Sequence, residues 1–169
     1  MTEQTFEDFV RASLPALSRH AYALTGGVDT GQDLLQDTLV KVARAWRRVR
    51  REGNPLAYAR TVMLNTYLSA WRALRRRGVA VPFEEHDYDN DQATRDVYDQ
   101  IDARDVIRRS LAALPRDQRA VLVLGYLDDL SDEEIAALLD RRPATIRSLR
   151  PRGLQTLRAH LASKEQSHV

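Results

Sequence analysis

Apolar residues recur at three- and four-residue intervals along both ends of this 169-residue chain, and the recurrence is lost across residues 78–102. That interval lines side chains up on one face of an α-helix, whereas a half-buried strand needs alternation at every second residue, which the chain does not show. The expected fold is therefore all-α. Two small helical domains, about 1–78 and 103–163, are joined by a flexible acidic linker over 79–102 and followed by a polar tail, 164–169. No internal repeat is visible.

In the first domain, Thr5 with Asp8 has the form of a helix-capping pair. Phe6, Phe9, Val10, Leu14, Leu17, Ala21 and Leu24 follow at helical spacing as far as Gly26-Gly27. Pro15 falls inside that run, and its missing N–H and its ring predict a bend or split there. A second helix is expected over about 30–49, with Leu35, Leu39, Val42 and Trp46 on one stripe and Gly53-Asn54-Pro55 ending it. The third, about 55–77, has proline at its first position and Arg75-Arg76-Arg77 at its end, where cations suit the helix dipole. Beyond the linker the pattern resumes with Val106, Ile107, Leu111 and Leu114, breaks at Pro115, and returns with Val121, Leu122, Leu124 and Leu127. Trp46 and Trp71 stand at helical spacing, so buried packing is their expected role and base stacking the alternative.

Charge is segregated more sharply than the net value of +2 suggests. Residues 41–77 carry eleven Lys/Arg against one acid, Glu52; residues 84–102 carry eight acids against one base, Arg95; residues 141–158 carry six Arg and no acid. Two basic blocks on helices are what a polyanion would meet. The absence of cysteine excludes disulfides, thiolate catalysis and cysteine-bound zinc. No window is long and apolar enough to span a bilayer, and the opening MTEQTFEDFV lacks the basic-then-apolar form of a secretory leader, so a cytoplasmic location is expected.

The most specific local pattern lies at residues 131–158. Ser131 with Glu134 forms a capping box, Ile135, Ala136, Leu138 and Leu139 pack a short helix, and Asp140 falls where a left-handed residue is needed. A second helix begins near Ala144, with Ile146, Leu149, Leu154 and Leu157 facing inward. That leaves Thr145, Arg147, Ser148, Arg150 and Arg152 outward or near the helix start, a composition suited to reading DNA: arginine pairs with guanine edges, and Ser and Thr reach bases or phosphates. A helical hairpin with a basic solvated face is the plainer alternative. Pro151 predicts a kink.

Residues 111–124, LAALPRDQRAVLVL, followed by residues 126–137, resemble the fourth conserved region of extracytoplasmic-function sigma factors. Residues 33–39, DLLQDTL, with Ala45-Trp46 after them, resemble the second region, and the resemblance spans about 6–162. It implies a sigma factor that binds core RNA polymerase and directs promoter recognition, melting and transcription initiation, with no catalytic residue, cofactor or metal. Asp33, Gln36, Asp37, Leu39 and Lys41 lie on the helix that in this family docks on the polymerase clamp helices. The segment around 50–55 and the third helix correspond to the part that holds the melted downstream element. There the resemblance implies Asn65 for a base edge or flipped base, and Arg60, Arg72, Arg75, Arg76 and Arg77 for phosphates. It also implies an acidic connector threading toward the polymerase active-site and RNA channels. Asp140 and Ala144 stand where many relatives carry glycine, and Pro151 falls in a helix that is usually continuous. The short polar tail leaves no expectation of an added regulatory domain, so a separate anti-sigma protein, expression level or turnover is the expected control.

Two rival readings remain at this level. A dimeric helix-turn-helix repressor accounts for 131–158 but leaves the basic third helix and the acidic linker unexplained. A metal-dependent hydrolase needs clustered ligands, yet His20, His86, His160 and His168 are scattered without a His-x-x-x-His pair.

Overall fold

The computed structural model describes residues 3–77 and 103–166, all helices and connections without a strand among them. The acidic linker expected over 79–102 lies outside the described residues. Eight helices are described: α1 Phe6–Thr25, α2 Val28–Arg44, α3 Trp46–Glu52, α4 Pro55–Arg76, α5 Ala103–Ala112, α6 Arg116–Tyr126, α7 Asp132–Leu139 and α8 Pro143–Gln166. The chain divides into two compact units, residues 1–73 and 74–169.

In the first unit, α1 starts on a full capping box. Asp8 N–H donates to Thr5 Oγ1 at 3.1 Å and Thr5 N–H donates to the Asp8 carboxylate at 3.3 Å. The Thr5 hydroxyl, then its backbone N–H, holds the Asp8 carboxyl below its ordinary range, and Arg11 adds to this. Phe9, Leu17, Ala21 and Leu24 of α1 are buried, as are Leu34, Leu35, Thr38 and Val42 of α2. The Thr38 hydroxyl donates to the Leu34 carbonyl at 2.7 Å, so its burial leaves no donor stranded. From α4, Ala59, Met63, Tyr67, Leu68 and Trp71 complete the core with Val49 of α3.

Two expectations are corrected here. Pro15 does not split α1, which runs unbroken from Phe6 to Thr25 with Pro15 exposed. An interior proline costs about 3 kcal/mol, whereas burying each of Phe9, Leu17 and Leu24 contributes about 1.5–3 kcal/mol, so the tertiary contribution prevails. The second helix, expected as one element over 30–49, is two. Ala45 takes φ −98° and ψ 5°, and its N–H is shared between the carbonyls of Lys41 and Val42 at 3.3 and 3.1 Å. The chain turns there and brings the Trp46 ring against Phe6 and Phe9, with centroids 5.6 and 5.3 Å away. Gly53, at φ 84°, ends α3 in the left-handed region, and Asn54 Oδ1 then accepts the Ala57 N–H at 3.2 Å to start α4.

In the second unit, Leu111, Leu114, Ala120, Val121, Leu122, Val123 and Leu124 are buried together with Ile135, Ala136, Leu139 and Ile146. Pro115 separates α5 from α6, and Arg119 Nη1 donates to the carbonyls of Ala112 and Leu114, both at 3.3 Å, closing the end of α5. α8 runs as one element from Pro143 to Gln166 through the exposed Pro151, the position at which the sequence predicts a kink.

The close approach of α1 and α2 depends on Gly31. A Cβ there would overlap the Tyr22 ring and lie 3.2 Å from Tyr22 Cα, a backbone atom that cannot swing aside. Gly31→Ala should therefore destabilise the protein by about 1–3 kcal/mol despite alanine's better helix propensity. Urea denaturation monitored by tryptophan fluorescence checks this, and an unchanged or raised midpoint would contradict it.

Candidate nucleic-acid and polymerase interfaces

Burial of Leu34, Leu35, Thr38 and Val42 turns the opposite side of α2 to water. Asp33, Gln36 and Asp37 are exposed on that side, in a row one helical turn apart. Leu39, nominated with them on the sequence, is half-buried. Val40 was not nominated, yet it is 49% exposed on the same stripe. Its step from Asp33, Gln36 and Asp37 was the available signal. Lys41 is directed elsewhere: its Nζ donates to Thr66 Oγ1 of α4 at 2.9 Å, and that hydroxyl donates to the Val62 carbonyl at 2.8 Å.

This brings Lys41 to a second feature, an open groove of about 340 Å³ lined by Lys41, Tyr58, Val62, Asn65, Thr66 and Ser69. The lining has an aromatic ring, an apolar floor at Val62, a primary amide, two hydroxyls and one cation, and no acid. Residues of these types are ones that contact bases in single-stranded nucleic acid. Tyr58 is fixed from outside the groove, because its phenol accepts from Arg48 Nη2 at 3.1 Å and the guanidinium carbon lies 5.7 Å from the ring centroid. Arg72 and Arg76 are exposed along the same side of α4 as Asn65, at steps of seven and eleven residues, and Arg77 is exposed beyond the helix end. Arg60 is exposed but lies about 140° around the helix from Asn65. The side chain of Arg75 lies outside the described residues. Trp71 is buried beside Tyr67, with centroids 6.2 Å apart, and Trp46 packs on Phe6 and Phe9, so both tryptophans take the packing role. The ring presented at the groove is Tyr58, which sequence reasoning missed although it stands seven residues before Asn65.

In the second unit, α7 and α8 form a helix-turn-helix. Glu134 N–H donates to Ser131 Oγ at 3.1 Å and Ser131 N–H donates to Glu134 Oε2 at 2.8 Å, the capping box expected. Asp140 adopts φ 53° and ψ 52°, left-handed as expected, and Arg141 N–H then donates to the Ala136 carbonyl at 2.9 Å. α8 opens at Pro143, one residue before the expected start, with proline at its first position. Ile146 is buried, and Thr145, Arg147, Ser148 and Arg152 are exposed.

The arginines of this block differ in their surroundings. Arg147 Nη1 lies 3.6 Å from Glu133 with both side chains more than half exposed, a pair worth little in water. Arg141 Nη2 reaches Asp117 at 3.3 Å, and Arg142 is exposed immediately before α8. Neither was singled out on the sequence as a contact. Arg150 is only 24% exposed, and its Nε and Nη2 both donate to Asp132 Oδ1, at 3.0 and 2.6 Å. Asp132 raises the Arg150 pKa above its ordinary value, burial opposes this, and Tyr126 adds to it. Among the described residues, no group of three or more His, Cys, Asp or Glu is placed to hold a metal ion, and no helix is long and apolar enough to cross a membrane.

Comparison with known proteins follows this division. Sigma-70 region 2 matches residues 9–77 and Sigma-70 region 4 matches residues 104–157. The RNA polymerase sigma-E factor of Streptomyces avermitilis is 35% identical over 160 residues, covering 95% of this chain and 87% of the relative. The ECF RNA polymerase sigma factor SigE of Mycolicibacterium smegmatis is 30% identical over 163 residues, covering 94% of this chain and 62% of that one. Among solved structures, the sigma factor RpoE of Bartonella quintana, in complex with the anti-sigma factor NepR, is 27% identical with a TM-score of 0.52, covering 93% of this chain and 96% of that one. An exposed polar α2 face, a basic α4 and a helix-turn-helix thus occur in the order of two sigma regions, and the chain belongs to the extracytoplasmic-function group of the sigma-70 family of RNA polymerase sigma factors.

Proposed function

We propose that this sigma factor divides promoter recognition between its two units, with region 2 over about 1–78 and region 4 over about 103–163. Asp33, Gln36 and Asp37, with Leu39 beneath them and Val40 beside them, form the docking face for core RNA polymerase. Asn65 captures an unpaired base of the downstream element in the groove it shares with Lys41, Tyr58, Thr66 and Ser69. Arg60, Arg72, Arg75, Arg76 and Arg77 track the phosphates on either side. Thr145, Arg147, Ser148 and Arg152 meet the upstream element. The observation that supports this reading is the acid-free lining of Lys41, Tyr58, Val62, Asn65, Thr66 and Ser69, with cations further along α4.

Melting in this scheme needs no catalytic group on the chain, and the bond-forming chemistry belongs to the polymerase. A protein that binds unpaired bases better than paired ones shifts the duplex equilibrium by that difference in affinity. Unstacking one base costs a few kcal/mol, and a stacked, hydrogen-bonded base in the groove offsets a comparable amount. The sigma–anti-sigma complex among the structural relatives supports a separate anti-sigma protein as the regulator. The chain is assigned to the cytoplasm because that is where its polymerase partner works.

Run-off transcription with purified core polymerase over a genomic fragment library tests the whole scheme. Discrete transcripts should require this protein, and their aligned upstream sequences should show two elements. Palindromic duplex binding without any engagement of polymerase would overturn it in favour of a repressor. Asp37→Arg, at an exposed position, should weaken core-polymerase binding at least tenfold while leaving the thermal midpoint unchanged; equal binding by fluorescence anisotropy removes the docking face. Asn65→Ala should cost about 1–3 kcal/mol in binding a single-stranded downstream-element oligonucleotide and reduce permanganate reactivity of the melted region in step. Full reactivity in the variant would remove Asn65 from the site.

A further inference from the structure

Apolar anchoring of the first half of α8 comes from Ile146 with the half-buried Leu149 and Leu154. Its fully buried residues are Ile146 and Gly153, and the glycine has no side chain to interlock. Apolar contact of this kind has no direction of its own, so a directional contact adds a second fixed point that sets the angle of the helix. Arg150, one turn beyond Ile146, occupies that position. Its guanidinium is bounded by Asp132 in the first turn of α7, which accepts from both Nε and Nη2. It is bounded also by the Tyr126 ring at the end of α6, whose centroid is 5.4 Å from Cζ. The third boundary is the α6 backbone at Gly125, where a Cβ would lie 2.6 Å from Nη1. The side chains of Arg150 and Asp132 are 24% and 25% exposed, against 57% and 69% for Arg147 and Glu133. The enclosed pair is therefore screened far less than the outer one.

We propose that Arg150 is a positioning residue for upstream-element recognition, held by Asp132 and Tyr126 in a clamp that sets the angle at which Thr145, Ser148 and Arg152 meet the duplex. The inference rests on the assignment of α8 to the upstream element. The clamp spans all three helices of the reader, since Tyr126 belongs to α6, Asp132 to α7 and Arg150 to α8. Sequence alone places Arg150 among the DNA contacts; in the structure its Nε and Nη2 both donate to Asp132.

The test uses the full chain bound to core polymerase. Binding to the promoter duplex selected in run-off transcription is compared with binding to a duplex of the same length and composition whose upstream element is scrambled, over a range of salt. Arg150→Gln and Asp132→Asn should each lower the discrimination between the two duplexes about tenfold, and the double variant should be no worse than Arg150→Gln alone because both remove one clamp. Gly125→Ala keeps both charges and adds a helix-favouring residue, so the protein stays folded while the methyl group displaces the Arg150 fork; discrimination should fall here too, with the thermal midpoint maintained. The salt slope should stay the same throughout, whereas loss of a phosphate contact would lower it by about 0.9. A reduced slope for Arg150→Gln with both duplexes weakened alike would make Arg150 a phosphate contact and overturn the proposal. Discrimination surviving all three single substitutions overturns it also. No discrimination by the unsubstituted chain would overturn the upstream-element assignment itself, and the clamp's role with it.

Discussion

The one-sided burial of each helix is the constraint on which the surfaces of this protein depend. α2 illustrates it. Leu34, Leu35, Thr38 and Val42 are withdrawn from water, and α1 approaches so closely at Tyr22 that only glycine fits at position 31. Turning α2 by a single residue would rotate its faces by about 100° and expose side chains whose burial contributes about 1.5–3 kcal/mol each. Asp33, Gln36, Asp37 and Val40 consequently have one place to point. The exposed polar face of α2 is thus specified by the core, and it needs no stabilising interaction of its own.

The second unit reaches the same end by mixed means. Its buried aliphatic residues lie mainly in α6 and α7, while the first half of α8 offers Ile146 and a half-buried Leu149. A partly enclosed, two-donor ion pair with an aromatic ring beside it supplies directional restraint where apolar contact is sparse. Such a pair contributes modest net stability because desolvation offsets much of its attraction. Its geometry is demanding all the same, since both donors of Arg150 must meet one carboxylate oxygen of Asp132.

Local chemistry was legible in the sequence wherever a few neighbouring residues decide the outcome. The boxes at Thr5/Asp8 and Ser131/Glu134, the left-handed Asp140, the proline opening α4 and the break at Pro115 all formed as their residue types required. Pro15 shows where this reasoning stops, since its local penalty of about 3 kcal/mol is outweighed by the burial of Phe9, Leu17 and Leu24 on the same helix. The turn at Ala45 was invisible for another reason. Val42, Trp46 and Val49 keep helical spacing across it, and only the packing of Trp46 on Phe6 and Phe9 accounts for the change of direction.

By itself, the sequence determined that the chain is helical, where most helices begin and end, which faces are apolar, and that two basic blocks stand apart on different helices. These follow from periodicity and capping, which act over three or four residues. What only the tertiary structure decided is which polar residues work together. Lys41 of α2 donates to Thr66 of α4, and the groove beside them is lined also by Asn65 and Tyr58. The six arginines of residues 141–158 are indistinguishable by type, yet Arg150 is enclosed against a carboxylate eighteen residues away while Arg147 and Arg152 remain exposed. The distance between two side chains on different helices depends on how those helices pack, and no short-range pattern in the chain encodes it.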